Sequence, residues 1–252
     1  MSALLVLDRV RRSFGGLCVT NAVSLSVAAG ERRALIGPNG AGKTTLFNLI
    51  SGVLRVDGGR IHFDGRDVTH ASLDQRARLG MGRTFQRNNL FPALSTLENV
   101  RLAVQQRAGL SARMFRPARS YHAVTDEARE LLDRVGLRDR ADAAAGELAY
   151  GQQRALEIAL ALALHPRLLL LDEPTSGMGP AETAELIDLI AGLPREITLL
   201  IIEHDIDAVF RLADRISVLS FGSLLAEGSV EQIRANPQVQ EVYLGQSTDE
   251  VH

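Results

Sequence analysis

Hydrophobic and polar positions alternate along the first third of the chain and then change period. "VSLSV" (Val23 to Val27) alternates apolar and hydroxyl residues, the period-2 pattern of a half-buried strand, and Ile61 and Phe63 in "RIHFDG" repeat it. "RRALIG" reads as a short buried strand running into a glycine-rich loop, and "KTTLFNLISG" as a helix with Gly52 as its C-cap. From about Leu94 to Glu147 the pattern is helical. There "TDEARELLDRVGL" puts Leu131, Leu132 and Val135 on one face, with Gly136 as the stop. From Gln152 the spacing Leu156, Leu160, Leu164 marks another helix. "LLLLDEP" and "ITLLII" are all-apolar runs, as in parallel strands covered on both faces. "SVLSFGSLLAEG" predicts a hairpin around Phe221-Gly222, and a short C-terminal helix ends near "VYLG". Strands alternating with helices imply an α/β core with a mainly parallel sheet.

Composition narrows the choice of class. The chain has 252 residues, 46% hydrophobic and 23% charged, enough for one large domain or a domain with a subdomain. A net charge of −2 gives no bulk electrostatic case for binding nucleic acid. The one cysteine, Cys18, cannot form an internal disulfide and fits a reducing cytosol. "MSALLVLDRVRRSFGG" is charged too early, and its apolar run is too short, for a signal peptide. The most apolar stretch, Ala155 to Leu171, is interrupted by Glu157, His165, Pro166 and Arg167. It falls short of the roughly 20 apolar residues a bilayer span needs, so work at a membrane would go through a partner.

The candidate chemistry starts at "GPNGAGKTT". Gly37, Gly42, Lys43 and Thr44 satisfy G-x-x-x-x-G-K-[ST], with Pro38, Asn39, Gly40 and Ala41 between them and Thr45 following. Glycines let the backbone curl so that successive N–H groups face phosphate oxygens, and the following helix offers its positive end to the same anion. In that arrangement Lys43 reaches the β- and γ-phosphates, and Thr44 supplies a hydroxyl to Mg²⁺. A predicted strand before the loop and a predicted helix after it are the context the motif requires.

A second cluster lies at the ends of the apolar strands. Asp172 and Glu173 follow "LLLL", at the edge where ligands bind in open α/β sheets. Adjacent carboxylates there are costly unless compensated, and Mg²⁺ compensates. Asp172 fits the acid that holds the ion, and Glu173 the base that polarises the attacking water. "IIEHD" places His204 at the equivalent end one strand along, where it would contact the γ-phosphate.

With these residues the chain resembles the ATP-binding cassette (ABC) ATPases, the motor subunits of ABC transporters, from about Leu4 to Gly245. The resemblance implies a P-loop α/β fold: a mainly parallel sheet core, an N-terminal antiparallel β subdomain and a helical subdomain. Residues 1–252 would form one ABC ATPase domain, with 1–93 and 148–252 as the nucleotide-binding core and 94–147 as the helical subdomain with an insertion. It also implies ATP and Mg²⁺, with Gln86 of "RTFQ" contacting the metal and facing a permease, and Phe14 stacked on adenine. "LAYGQ" (Leu148, Ala149, Tyr150, Gly151, Gln152) occupies the place of the family signature, whose helix points at the γ-phosphate held by the opposite subunit. Two departures stand out: Ala149 replaces a serine and Tyr150 a glycine. Gly179 of "SGMG" (Ser176 to Gly179) also stands where the family's loop usually closes with Asp or Asn.

Within the family the nearest likeness is to the ATPase subunits of branched-chain amino acid importers, carried by "GMGRTFQRNNLFPALSTLENV", "LAYGQQR" and "VYLG". That implies a subunit peripheral to the cytoplasmic face of a bacterial inner membrane. Its partners would be a second cassette, in a homo- or heterodimer, the permease subunits and, indirectly, a substrate-binding protein, with no nucleic acid. Lipid or lipopolysaccharide export is the alternative within the family, and a soluble non-transport ABC ATPase the alternative outside transport. Arg107, Arg113, Arg116 and Arg119 in the insertion are expected to form a solvated basic face, with contact to lipid headgroups or the permease as the alternative.

Overall fold

The computed structural model describes residues 3–84, 90–109 and 122–244. The chain divides into two compact units, 1–81 with 167–173 and 194–252, and 82–166 with 174–193.

The first unit holds two sheets. β1 (Ala3–Phe14) and β2 (Leu17–Ala28) are twelve-residue antiparallel strands, joined in the order β2-β1-β4-β5 by β4 (Gly58–Phe63) and β5 (Arg66–Asp67). The other sheet runs β10-β9-β3-β8-β7-β6. It is built from β3 (Arg32–Ile36), β6 (Met81–Arg83), β7 (Leu168–Asp172), β8 (Thr198–Ile202), β9 (Arg215–Ser220) and β10 (Ser223–Gly228). β9, β3, β8 and β7 pair in parallel, and β10 turns back antiparallel on β9 through the hairpin at Phe221-Gly222. Every residue of β3, β7 and β8 is buried, as the apolar runs of β7 and β8 predict; β3 buries Arg32 and Arg33 as well. Along β3 the pleat sends Leu35 to one core, with Phe47, Leu170 and Leu200, and sends Ala34 and Ile36 to another, with Val209 and Ile216.

Four short helices and the phosphate-loop helix complete this unit. They are α1 (Lys43–Ser51), α2 (Leu73–Arg78), α7 (Ile206–Leu212), α8 (Val230–Arg234) and α9 (Pro237–Leu244). α1 ends as expected at Gly52, which takes the left-handed conformation. Its C-terminus has a second closure that the sequence pattern does not announce. Arg76 of α2 is 1% exposed and donates to the Leu49 and Ile50 carbonyls of α1 and to those of Thr69 and Ala71. A cation there satisfies carbonyls that lack helical partners and suits the negative end of the helix dipole. Burial lowers its pKa to about 10, so it stays charged at neutral pH.

The second unit is helical: α3 (Thr96–Arg107), α4 (His122–Arg134), α5 (Tyr150–Leu162) and α6 (Pro180–Ala191). Within it α5 packs on α3, α4 and α6. Val124, Ala128, Leu131 and Leu132 form the buried stripe of α4, and Gly136 follows it with φ 72°. Arg107 does not belong to a solvated basic face. It donates to both Glu127 oxygens at 2.6 and 2.7 Å and sits 2.7 Å from His165 Nδ1. Arg113, Arg116 and Arg119 lie outside the described residues.

Candidate active site

The phosphate loop is made where β3 ends and α1 begins. Gly42 is the N-cap of α1 at φ 96°, and a Cβ there would sit 2.5 Å from the Val19 carbonyl, so only glycine fits. Two hairpins hold the loop from outside. Val19 comes from the β1–β2 hairpin, and Gly222 of the β9–β10 turn donates its N–H to the Ala41 carbonyl at 3.0 Å. Neither residue was read from the sequence as a contact of the loop, because each meets it across a long chain separation. The exposed residues of the loop, Asn39, Gly40 and Thr44, face outward, while Gly37, Ala41 and Lys43 are buried and Pro38 and Thr45 lie between.

The loop opens into a pocket of about 210 Å³ lined by Val19, Asn39 to Thr45 and Glu173. Lys43 is 8% exposed and its ammonium donates to the Gly37 and Pro38 carbonyls at 2.7 and 3.0 Å. Burial lowers its pKa, and the nearby Glu173 and Asp172 carboxylates work against that shift. One cation and two acids thus share the field of one small pocket.

Asp172 closes β7 and is 2% exposed, opposite Ile202 in the parallel pairing with β8. Glu173 follows at φ 47°, an uncommon conformation for a residue with a side chain, costing on the order of 1 kcal/mol. Its backbone N–H still donates to the Ile202 carbonyl, so the strained residue is fixed by the sheet. His204, just past β8, brings Nδ1 to 4.0 Å from Glu173 Oε1 while remaining 60% exposed at its side chain. The adjacent strand ends therefore bring Asp172, Glu173 and His204 to one edge, as their positions in sequence implied. Phe14 is not among the residues lining the pocket. It ends β1, 45% exposed, with the Arg12 guanidinium 4.8 Å from its ring centroid. Gln86 lies outside the described residues.

The signature-like stretch belongs to the second unit. Ala149 is the N-cap of α5, extended at φ −59° and ψ 155°, and without a side-chain cap. Gln152 reaches back to accept from the Ala149 N–H at 3.2 Å, so half of a capping box survives and the hydroxyl half is missing. A Cβ on Gly151 would lie 3.1 Å from the Met178 methyl and 3.3 Å from Glu182 Cβ, which explains why a glycine stands in the first turn. Leu148 is buried, and Tyr150 is partly exposed beside the 176–177 segment.

Comparison with known proteins fits this geometry. Residues 20–176 match the ABC transporter family. The chain belongs to that family. Residues 223–248 also match the family described as branched-chain amino acid ATP-binding cassette transporter. The high-affinity branched-chain amino acid transport ATP-binding protein LivG of Salmonella typhimurium is 42% identical over 251 residues, 97% of this chain and 98% of LivG. BraF of Pseudomonas aeruginosa, of the same description, is 43% identical over 241 residues, 93% and 94% of the two chains. Among solved structures, the ADP conformation of MJ1267, an ATP-binding cassette of an ABC transporter, aligns at TM-score 0.84 and 30% identity, covering 97% of this chain and all of that one. The dimeric post-hydrolysis state of the cassette MJ0796, bound to ADP and Pi, aligns at TM-score 0.75 and 26% identity, covering 90% and 98%. Of the two transport alternatives read from sequence, these likenesses favour amino acid transport. The cassette has the family's fold, a phosphate-loop α/β core with an antiparallel sheet, and nucleotide binding with hydrolysis is the family's chemistry.

Proposed function

We propose that this cassette is the ATP-hydrolysing motor of a branched-chain amino acid importer, docked on the cytoplasmic side of the membrane. The observation that carries the reading is the pocket in which the phosphate loop meets Glu173, in a chain similar to LivG over 97% and to BraF over 93% of its length. No helix among the described residues is long and apolar enough to cross a membrane, so a path for substrate has to come from permease subunits.

Gly37 to Thr45 would bind the ATP phosphates, with Lys43 leaving the Gly37 and Pro38 carbonyls for the β- and γ-oxygens. Phe14, exposed at the end of β1, offers an adenine a flat apolar face. The Thr44 hydroxyl and Asp172 carboxylate are hard oxygen donors suited to Mg²⁺, which takes one or two protein ligands and completes its shell with phosphate and water; Gln86 would be a further ligand. When bound, the metal would neutralise charge on the transferring phosphoryl group. Glu173 would accept the proton of the attacking water, held by its fixed backbone, and His204 would hydrogen-bond the γ-phosphate from the next strand end. The N-terminus of α5, with Leu148 to Gln152, would serve the γ-phosphate bound by a second cassette. Closure and opening of the pair would move the permease through Gln86 and the helical unit.

The test is reconstitution with the permease subunits in vesicles and the binding protein outside. Labelled leucine, isoleucine or valine should accumulate only with ATP and Mg²⁺ on the cassette side, and EDTA should stop both uptake and turnover. ATP turnover without uptake of any of the three would overturn the transport assignment.

A further inference from the structure

Tyr150 stands where the family's signature has glycine, and its position in the fold is well defined. Its Oη donates to the Ser176 carbonyl at 3.3 Å and accepts from Arg154 Nη2 at 2.8 Å. The Arg154 guanidinium also lies 5.2 Å from the Tyr150 ring centroid and donates through Nη1 to Glu157 Oε2 at 2.9 Å. Arg154 and Glu157 are each 7% exposed, whereas Tyr150 is 38% exposed. Burial pushes the Glu157 carboxyl up and Arg154 pulls against it, so the arginine is the acid's chief compensation. A buried pair of this kind is costly unless its geometry is fixed, and the tyrosine supplies a third point of fixation.

The two ends of this network are functionally suggestive. At one end Ser176 lies three residues past Glu173 in the chain, and Met178 and Glu182 press on Gly151 in the same first turn of α5. At the other end Glu157 lines an apolar groove of about 540 Å³ within the helical unit, together with Leu102, Leu160 and Leu164. Leu160 and Leu164 remain only partly buried, whereas Leu156, which shares their spacing, is buried. Ala149 leaves the signature turn without a side-chain cap, and Tyr150 provides the missing restraint from the next position.

We propose that Tyr150 is a positioning residue for the signature. Through Oη it locks the first turn of α5 to the 176–177 backbone, and through Arg154 and Glu157 it ties that lock to the floor of the groove. This rests on the signature reading given above. A small misplacement of a charge-stabilising group lowers the rate of the chemical step more than it weakens ground-state binding. The tyrosine should therefore affect kcat and leave ATP binding to the phosphate loop alone.

The experiment is steady-state ATPase kinetics of the assembled transporter with Tyr150→Phe, Glu157→Gln and the double variant, alongside their thermal midpoints. Tyr150→Phe keeps the ring and removes Oη, and should lower kcat about tenfold with KM for ATP within twofold of wild type. Glu157→Gln keeps an acceptor for Arg154 but removes its charge, and should lower kcat by a smaller factor. The double variant should be no slower than Tyr150→Phe alone, because both act through Arg154. Arg154→Lys, which keeps a cation for Glu157 and loses the second guanidinium nitrogen, should reproduce the tenfold loss even if Tyr150→Phe is poorly folded. Wild-type kcat in Tyr150→Phe would overturn the proposal, as would losses that multiply in the double variant, or a rise in KM without a fall in kcat. No turnover in the wild-type complex would instead count against the motor assignment itself.

Discussion

Two helices of this protein, α1 and α5, begin alike and differ in what surrounds their first turns. Neither has a side-chain cap, and neither has an acid in its first turn. α2, α3, α7 and α8 are built the other way, with Ser72, Ser95, Asp205 and Ser229 accepting from their first-turn N–H groups and an acid close behind. α6 also lacks a side-chain cap, but it opens with Pro180 and carries Glu182 in its first turn. Uncapped N–H groups at the positive end of a helix are what an anion would use, and a nearby carboxylate would repel it. α1 has Lys43 as its first residue, a loop clamped by two hairpins, and Glu173 across a small pocket. α5 has no basic residue in that place, and a neutral tyrosine braces its start. On the proposed function the first would be a complete phosphate site within its own unit, and the second half a site whose anion a second cassette would deliver.

That contrast can be broken in graded ways. Lys43→Ala should weaken ATP binding at least about 100-fold, since two charge-assisted hydrogen bonds are each worth about 1.5–3 kcal/mol; equilibrium dialysis of the isolated chain measures it. Arg76→Met tests whether the far end of α1 is anchored as the structure shows. It strips the Leu49 and Ile50 carbonyls of a buried donor and should cost about 3 kcal/mol, read as a lower urea midpoint. Ala149→Asp separates helix stability from function: it supplies a good N-cap yet places a negative charge where phosphate should arrive. ATP affinity of the isolated chain should hold while turnover of the assembled transporter falls up to about tenfold, since a charge at a helix terminus is worth up to about 2 kcal/mol in a partly buried geometry. Equal losses in affinity and turnover would mean that α1 and α5 are not independent binding elements. Ala149→Ser is the mildest, adding about 1 kcal/mol of helix stability and leaving turnover equal or slightly higher.

Much of this was legible before the fold was known, for local reasons. β7 and β8 announce themselves as nearly continuous apolar runs, Leu168 to Leu171 and Leu199 to Ile202, because strands buried on both faces leave few polar positions, whereas β3 also buries Arg32 and Arg33. The loop from Gly37 to Thr45 is legible because phosphate binding fixes both residue type and spacing. What escaped was set by distance along the chain. Val19 and Gly222 meet the loop from hairpins well before and far beyond it, and nothing in their own neighbourhoods, even the legible turn at Phe221-Gly222, marks that contact. Arg76 reads as one more charged residue on a short helix until its partners on α1 are known. Arg154 and Glu157, three apart on α5, could have been paired by helical spacing, but their burial and their link to Tyr150 depend on the packing of the second unit.

The most direct test of the central claim, that the α1 pocket binds ATP and Glu173 activates the water, is Glu173→Gln measured for both binding and turnover. The amide keeps the shape of the side chain at its fixed, left-handed backbone position and loses the basicity. ATP affinity of the isolated chain should stay within about twofold while turnover falls about 10³-fold, as for loss of a general base. Wild-type turnover in that variant would contradict the assignment of Glu173.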